Sequence, residues 1–119
     1  MAEFVRVARL SDIPSGSYKG VKARGKEILV VNVDGAAYAI GDRCVHLRYR
    51  LHKGAKLDGT ILECHGHGVK YDVTDGGLCG WVTHPAPYAA LMALSPGFIK
   101  QNLPTYPTRV EGDDIYVEV

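Results

Sequence analysis

The sequence has no long apolar run, and its early residues hold no stretch that would serve as a signal peptide or membrane anchor. With no export signal in view, the cytoplasm is the expected location. Cysteine is scarce: three residues cannot build a complete disulfide framework, which excludes a disulfide-stapled scaffold. Charge of one sign is lacking too, with 14 Lys and Arg against 13 Asp and Glu, a formal net charge of +1. That balance gives no bulk electrostatic case for nucleic acid or an anionic membrane surface. There is no nucleophile–base arrangement, dinucleotide fingerprint, internal repeat or low-complexity segment. A chain of 119 residues has room for one compact domain, so residues 1–119 are expected to form a single unit.

What is present points to strands. Hydrophobic residues make up 46% of the chain, enough for an ordinary core, while 14 glycines and six prolines imply many turns and short strands. Apolar patterning predicts strands over 4–8, 17–23 (interrupted by Gly20) and 27–33. Asp34-Gly35 then reads as a hairpin turn into a strand over 36–40. Residues 53–59 are polar and turn-prone. Shorter strands follow over 60–63 and 69–73, and a closing hairpin pairs 105–110 with 115–119. The expected class is all-β: an antiparallel sandwich or barrel of short strands. Leu78 to Gln101 is the odd segment, in which Pro87 can open a helix over 88–94 that Ser95-Pro96-Gly97 ends.

The residues that carry chemistry lie between positions 44 and 67. Cys44-Val45-His46 is followed, after 17 residues, by Cys64-His65-Gly66-His67. Thiolates and neutral imidazoles are natural ligands of zinc, copper and iron–sulfur centres. Cys44 and His46, one residue apart, point to the same side of an extended backbone. Cys64 and His67 need a tight turn to converge, and Gly66 and Gly68 supply the freedom for it. Two such loops meeting at their tips suit a small inorganic cluster or a single ion. A zinc-stabilised loop is the competing reading, although zinc sites usually pair their ligands as C-x-x-C.

The spacing C-x-H, a gap of about seventeen residues, C-x-x-H resembles the signature of Rieske-type [2Fe–2S] ferredoxins. The flanks are similar as well: Leu51 and Gly54 after the first motif, Gly68 after the second, Val69-Lys70-Tyr71-Asp72, Gly76, and Leu103-Pro104-Thr105-Tyr106-Pro107. The resemblance implies one Rieske [2Fe–2S] cluster per chain, held by a subdomain at about 42–76 on a Rieske-like β-body. Cys44 and Cys64 would ligate one iron as thiolates, and His46 and His67 the other. Imidazoles in place of two thiolates remove negative charge, so such centres lie at about −150 to +300 mV against about −400 mV for plant-type ferredoxins. Deprotonation of a ligand imidazole disfavours reduction, so the potential is expected to fall as pH rises through the oxidised-state histidine pKa values. The positions of the disulfide that braces cytochrome bc-type members are occupied by Tyr49 and Gly66, so that brace is expected to be absent.

By the same resemblance the chain is a soluble, monomeric one-electron carrier and not an enzyme. Its expected partners are redox proteins, a reductase and an oxygenase or other acceptor. The alternative is an obligate small subunit of a multicomponent oxygenase or reductase. The chain has no room for the separate 2-His-1-carboxylate iron domain of a Rieske oxygenase. Tyr71 matches a tyrosine that donates a hydrogen bond to a ligand cysteine sulfur in high-potential members; the competing reading is a packing tyrosine with its hydroxyl in water. A second donor, a serine in such members, is replaced by Val69. One donor of two implies an intermediate potential. His65 is expected to be exposed or to act behind the ligands, and Cys79 to be a small buried filler. The resemblance makes 78–101 an insertion where soluble members have a short connection, and its helix-like part, Tyr88 to Leu94, reads as core or lid, or as a docking face for a redox partner.

Overall fold

The computed structural model describes residues 3–43, 50–65, 68–81, 87, 90, 91 and 102–119. Among them eleven strands form three antiparallel sheets. The first sheet joins β1 (Phe4–Arg9), β11 (Asp114–Glu118) and β10 (Thr108–Glu111) in that order. The second runs β2 (Ser17–Ala23), β3 (Lys26–Val33), β4 (Ala36–Gly41), β9 (Thr105–Tyr106). The third runs β5 (Lys56–Asp58), β6 (Ile61–Glu63), β7 (Lys70–Asp72), β8 (Gly77–Gly80). The all-β class expected from the patterning is therefore what the chain adopts.

The second sheet is the middle layer, and β3 shows why. Its run Ile28-Leu29-Val30-Val31 has no polar side, as a strand buried on both faces requires. Ile28 and Val30 pack with Ala8, Ala37, Ala39, Ile115 and Val117 toward the first sheet. Leu29 and Val31 pack with Ile40, Leu62, Cys64, Val69, Tyr71 and Val73 toward the third. Asn32 continues the strand as a buried polar residue, donating to the Ile13 carbonyl at 2.6 Å and accepting from the Gly35 N–H at 2.8 Å.

Three expectations change. The stretch 53–59 is not merely a turn: β5 lies within it, pairing Leu57 with Leu62, because one inward leucine suffices for a three-residue edge strand. The expected strand over 105–110 divides at Pro107, which has no N–H for a ladder. β9 pairs with β4, whereas β10 pairs with β11. Finally, β8 takes the first residues of the segment expected as an insertion, aligning Leu78 with Tyr71. That pairing turns Leu78 toward the core and the next side chain outward, so Cys79 is exposed and not the buried filler expected. The helix expected over 88–94 lies largely outside the described residues; Pro87, Ala90 and Leu91 are helical and exposed.

Candidate metal centre

Cys64 follows β6 directly and is 2% exposed. The β6–β7 ladder pairs Leu62 with Tyr71 and Glu63 with Lys70, and the Cys64 N–H extends it by donating to the Val69 carbonyl at 2.8 Å. The Gly68 N–H closes the loop onto the Cys64 carbonyl at 3.2 Å, with Gly68 at φ +84°, a left-handed conformation that favours glycine. Gly66 and His67, at the tip of this loop, lie outside the described residues. So do Cys44 and His46, with the rest of 44–49, and with them Tyr49, where the absence of the brace was expected. Of the four expected ligands, Cys64 is thus the one with a described position.

Tyr71 sits on the same sheet face as Cys64, since strand alternation places 62, 64, 69, 71 and 73 together in one core. It is 0% exposed. The reading in which its hydroxyl reaches water is therefore corrected: the phenol is enclosed, and an enclosed hydroxyl requires a partner. Tyr71 and Cys64 are diagonal neighbours across β6 and β7, within the reach of an aromatic side chain. Val69, where a second donor would stand, is fully buried and apolar.

The base of the first loop is equally ordered. Arg43 and Arg50 form an isolated antiparallel bridge across it, and the Leu51 N–H donates to the Asp42 carbonyl at 2.8 Å. The Asp42 side chain is fully enclosed. It accepts from Arg50 Nε at 2.9 Å and Nη2 at 2.7 Å, and from the His52 N–H at 2.8 Å; His52 Nδ1 lies 2.5 Å from it. Glu27 adds a second tie, accepting from Arg43 Nε and Nη2 with Arg50 Nη1 at 3.4 Å. The Arg43 hydrogen bond holds the Glu27 carboxyl below its usual pKa. Nothing in the motif spacing announced this cluster. The one available signal was Gly20, a glycine inside a strand: a Cβ there would stand 2.6 Å from the His52 ring.

The segment that follows the first loop comes close to His65 of the second. After a 3₁₀ turn over Leu51–Lys53, Gly54 adopts φ +123°. A Cβ on it would lie 3.7 Å from His65, which is exposed, as expected. The Tyr18 hydroxyl donates to the Ala55 carbonyl and ties this segment to β2, and burial raises the Tyr18 pKa. The strand end at Gly80 pairs with Lys70, so Trp81 lies at the same end of the sheet as Cys64. The chain returns where Asn102 Oδ1 accepts from the Leu78 N–H at 2.9 Å and the Leu103 N–H donates to Gly76 at 2.8 Å. No helix among the described residues is long and apolar enough to cross a membrane.

The donor chemistry fits an iron–sulfur centre: a thiol enclosed by aliphatic and aromatic side chains, at a glycine-closed turn, beside a buried phenol. Comparison with known proteins agrees. Residues 3–107 match the model of the Rieske [2Fe-2S] domain. The chain is 30% identical over 118 residues to the ferredoxin component of the naphthalene 1,2-dioxygenase system of Pseudomonas aeruginosa, covering 98% of this chain and 96% of that protein. It is 30% identical over 115 residues to the biphenyl dioxygenase ferredoxin subunit of Pseudomonas sp. (strain KKS102), covering 97% and 91%. Among solved structures, the terminal oxygenase of carbazole 1,9a-dioxygenase from Novosphingobium sp. KA1 superimposes with a TM-score of 0.80 at 26% identity. That match covers 97% of this chain but 29% of the oxygenase. The ferredoxin of carbazole 1,9a-dioxygenase from Nocardioides aromaticivorans IC177 shares the fold with a TM-score of 0.77 at 24% identity, covering 96% and 95%. The chain belongs to the Rieske [2Fe-2S] domain family and is a ferredoxin, an electron carrier with that cluster as its cofactor.

Proposed function

We propose that the chain is the ferredoxin of a multicomponent dioxygenase system, accepting one electron at a time from a reductase and passing it to a terminal oxygenase. Support comes from near full-length similarity to two dioxygenase-system ferredoxins and from similarity to a chain of a solved oxygenase–ferredoxin complex of carbazole 1,9a-dioxygenase. On this reading residues 1–119 are a single Rieske domain working as a monomer in the cytoplasm. Its cluster-binding part spans about 42–76, and the insertion follows β8.

Cys44 and Cys64 are the thiolate ligands and His46 and His67 the imidazole ligands. When bound, the cluster supplies reversible one-electron chemistry. The protein's own part is to enclose the Cys64 thiolate, present the imidazole ligands at the loop tips, and direct the Tyr71 hydroxyl at a cysteine sulfur. That hydrogen bond stabilises the more negative, reduced state, so Tyr71 raises the potential. Val69 offers no second donor.

The observation that carries this reading is the enclosure of Cys64 and Tyr71 on one face of the third sheet, with the loop closed by Gly68. Iron and sulfide analysis with EPR of the dithionite-reduced protein tests it. The expected result is two irons and two sulfides per chain with a g-average below that of all-cysteine clusters. A colourless protein with stoichiometric zinc overturns it. The pH dependence of the potential is a second check: it should decline across the alkaline range.

A further inference from the structure

The loop 44–49, which carries two of the four proposed ligands, is bracketed by Asp42-Arg43 on one side and Arg50-Leu51-His52 on the other. Backbone bonds already hold these flanks: Asp42 N–H to the Glu27 carbonyl at 3.3 Å and Leu51 N–H to the Asp42 carbonyl at 2.8 Å. A fully enclosed carboxylate is not needed for that pairing and costs several kcal/mol of desolvation unless it is matched. Here it is matched from across the loop. Among the described residues, the donors that reach the Asp42 carboxylate come from Arg50 and His52, on the flank beyond residue 49.

We propose that Asp42 is a positioning residue for the first ligand pair: its buried carboxylate, gripping Arg50 and His52, sets the separation of the loop's two ends and so where Cys44 and His46 stand. The proposal rests on the ligand assignment above. The surroundings are built for the grip. Gly20 leaves the space into which the His52 ring fits, since any β-carbon there would collide with it. Glu27 holds Arg43 and Arg50 in turn, so both arginines keep to the loop's base. Residues that orient metal ligands in this way influence how tightly a centre is held more than whether the body folds.

Two variants approach the grip from opposite sides. Asp42→Asn keeps the shape and removes the charge; Gly20→Ala leaves Asp42 intact and displaces His52. Ile115→Val, in the core remote from the loops, serves as the control for general destabilisation. The rate at which a strong iron chelator bleaches the cluster's visible absorption is measured, with the EPR g-values of the reduced protein. Both variants should lose the cluster roughly 10–100-fold faster than wild type, with broadened or shifted g-values, while Ile115→Val should not. Wild-type release rates and g-values in either folded variant overturn the proposal, as does equal acceleration in Ile115→Val. A wild-type protein without iron and sulfide removes the ligand assignment itself, and the proposal with it.

Discussion

The two faces of the central sheet support cores of different kinds. Toward the first sheet the core is mainly strand against strand: Ile28, Val30, Ala37 and Ala39 meet Ala8, Ile115 and Val117, with Ile13 and Val119 added from just outside the strands. Small alanines and branched aliphatics fill it, and no residue of it belongs to the site. Toward the third sheet, loop residues enter the packing. Leu51, Ala55, Cys64 and Leu103 join Leu29, Val31, Ile40 and Tyr71. One core stabilises the body, and the other also holds residues that flank the two proposed ligand loops. The difference teaches that the flanks of the proposed centre are packed by side chains that fall just outside the strands.

The sharpest break in that comparison is Cys64→Ser. It should reduce iron and sulfide content to background, whereas His65→Ala should retain both, as elemental analysis and visible absorption would show. Next is Ile115→Ala, a buried truncation in the core toward the first sheet. It should cost about 2–5 kcal/mol of stability by chemical denaturation, with an unchanged reduction potential. Tyr71→Phe reverses that pattern. The potential should drop by roughly 40 mV for each kcal/mol of hydrogen-bond energy lost, read by spectroelectrochemistry, with a smaller effect on unfolding.

Acid gives the smallest effect. Glu27 beside Arg43, Asp72 bonded by Thr74 and Asp113 bonded by Ser11 all have carboxyl pKa values held below their usual range. Each favours the folded state above its ordinary pKa, and that contribution is lost as pH falls through the depressed value. Asp113→Asn should flatten the acid limb of the stability profile slightly without touching cluster retention. Glu27→Gln should flatten it and speed cluster release in acid denaturation monitored by absorbance.

Much of this was legible in residue order. The strands over 17–23 and 27–33 and the Asp34-Gly35 turn follow from alternation and turn chemistry, whereas the proposed ligand set rests on motif spacing, with Cys64 its one described member. What was hidden depends on partners distant in sequence. β5 and β8 are edge strands too short for a period to show. Pro107 divides a strand only because the chain crosses there from one sheet to another. Asp42 gives no sign of burial until Arg50 and His52 fold against it, and Cys79 faces outward only because Leu78 is aligned with Tyr71.

The two-sided burial of β3 has a consequence for how the hairpin finds its alignment. A slip by one residue would exchange Ile28 and Val30 for Leu29 and Val31, greasy for greasy, so hydrophobicity alone offers little resistance. Asn32 supplies the missing discrimination. Misaligned, its amide would face the opposite layer, away from the Ile13 carbonyl it serves in the native arrangement. A single enclosed amide thus acts as the index mark from which both halves of the molecule are assembled.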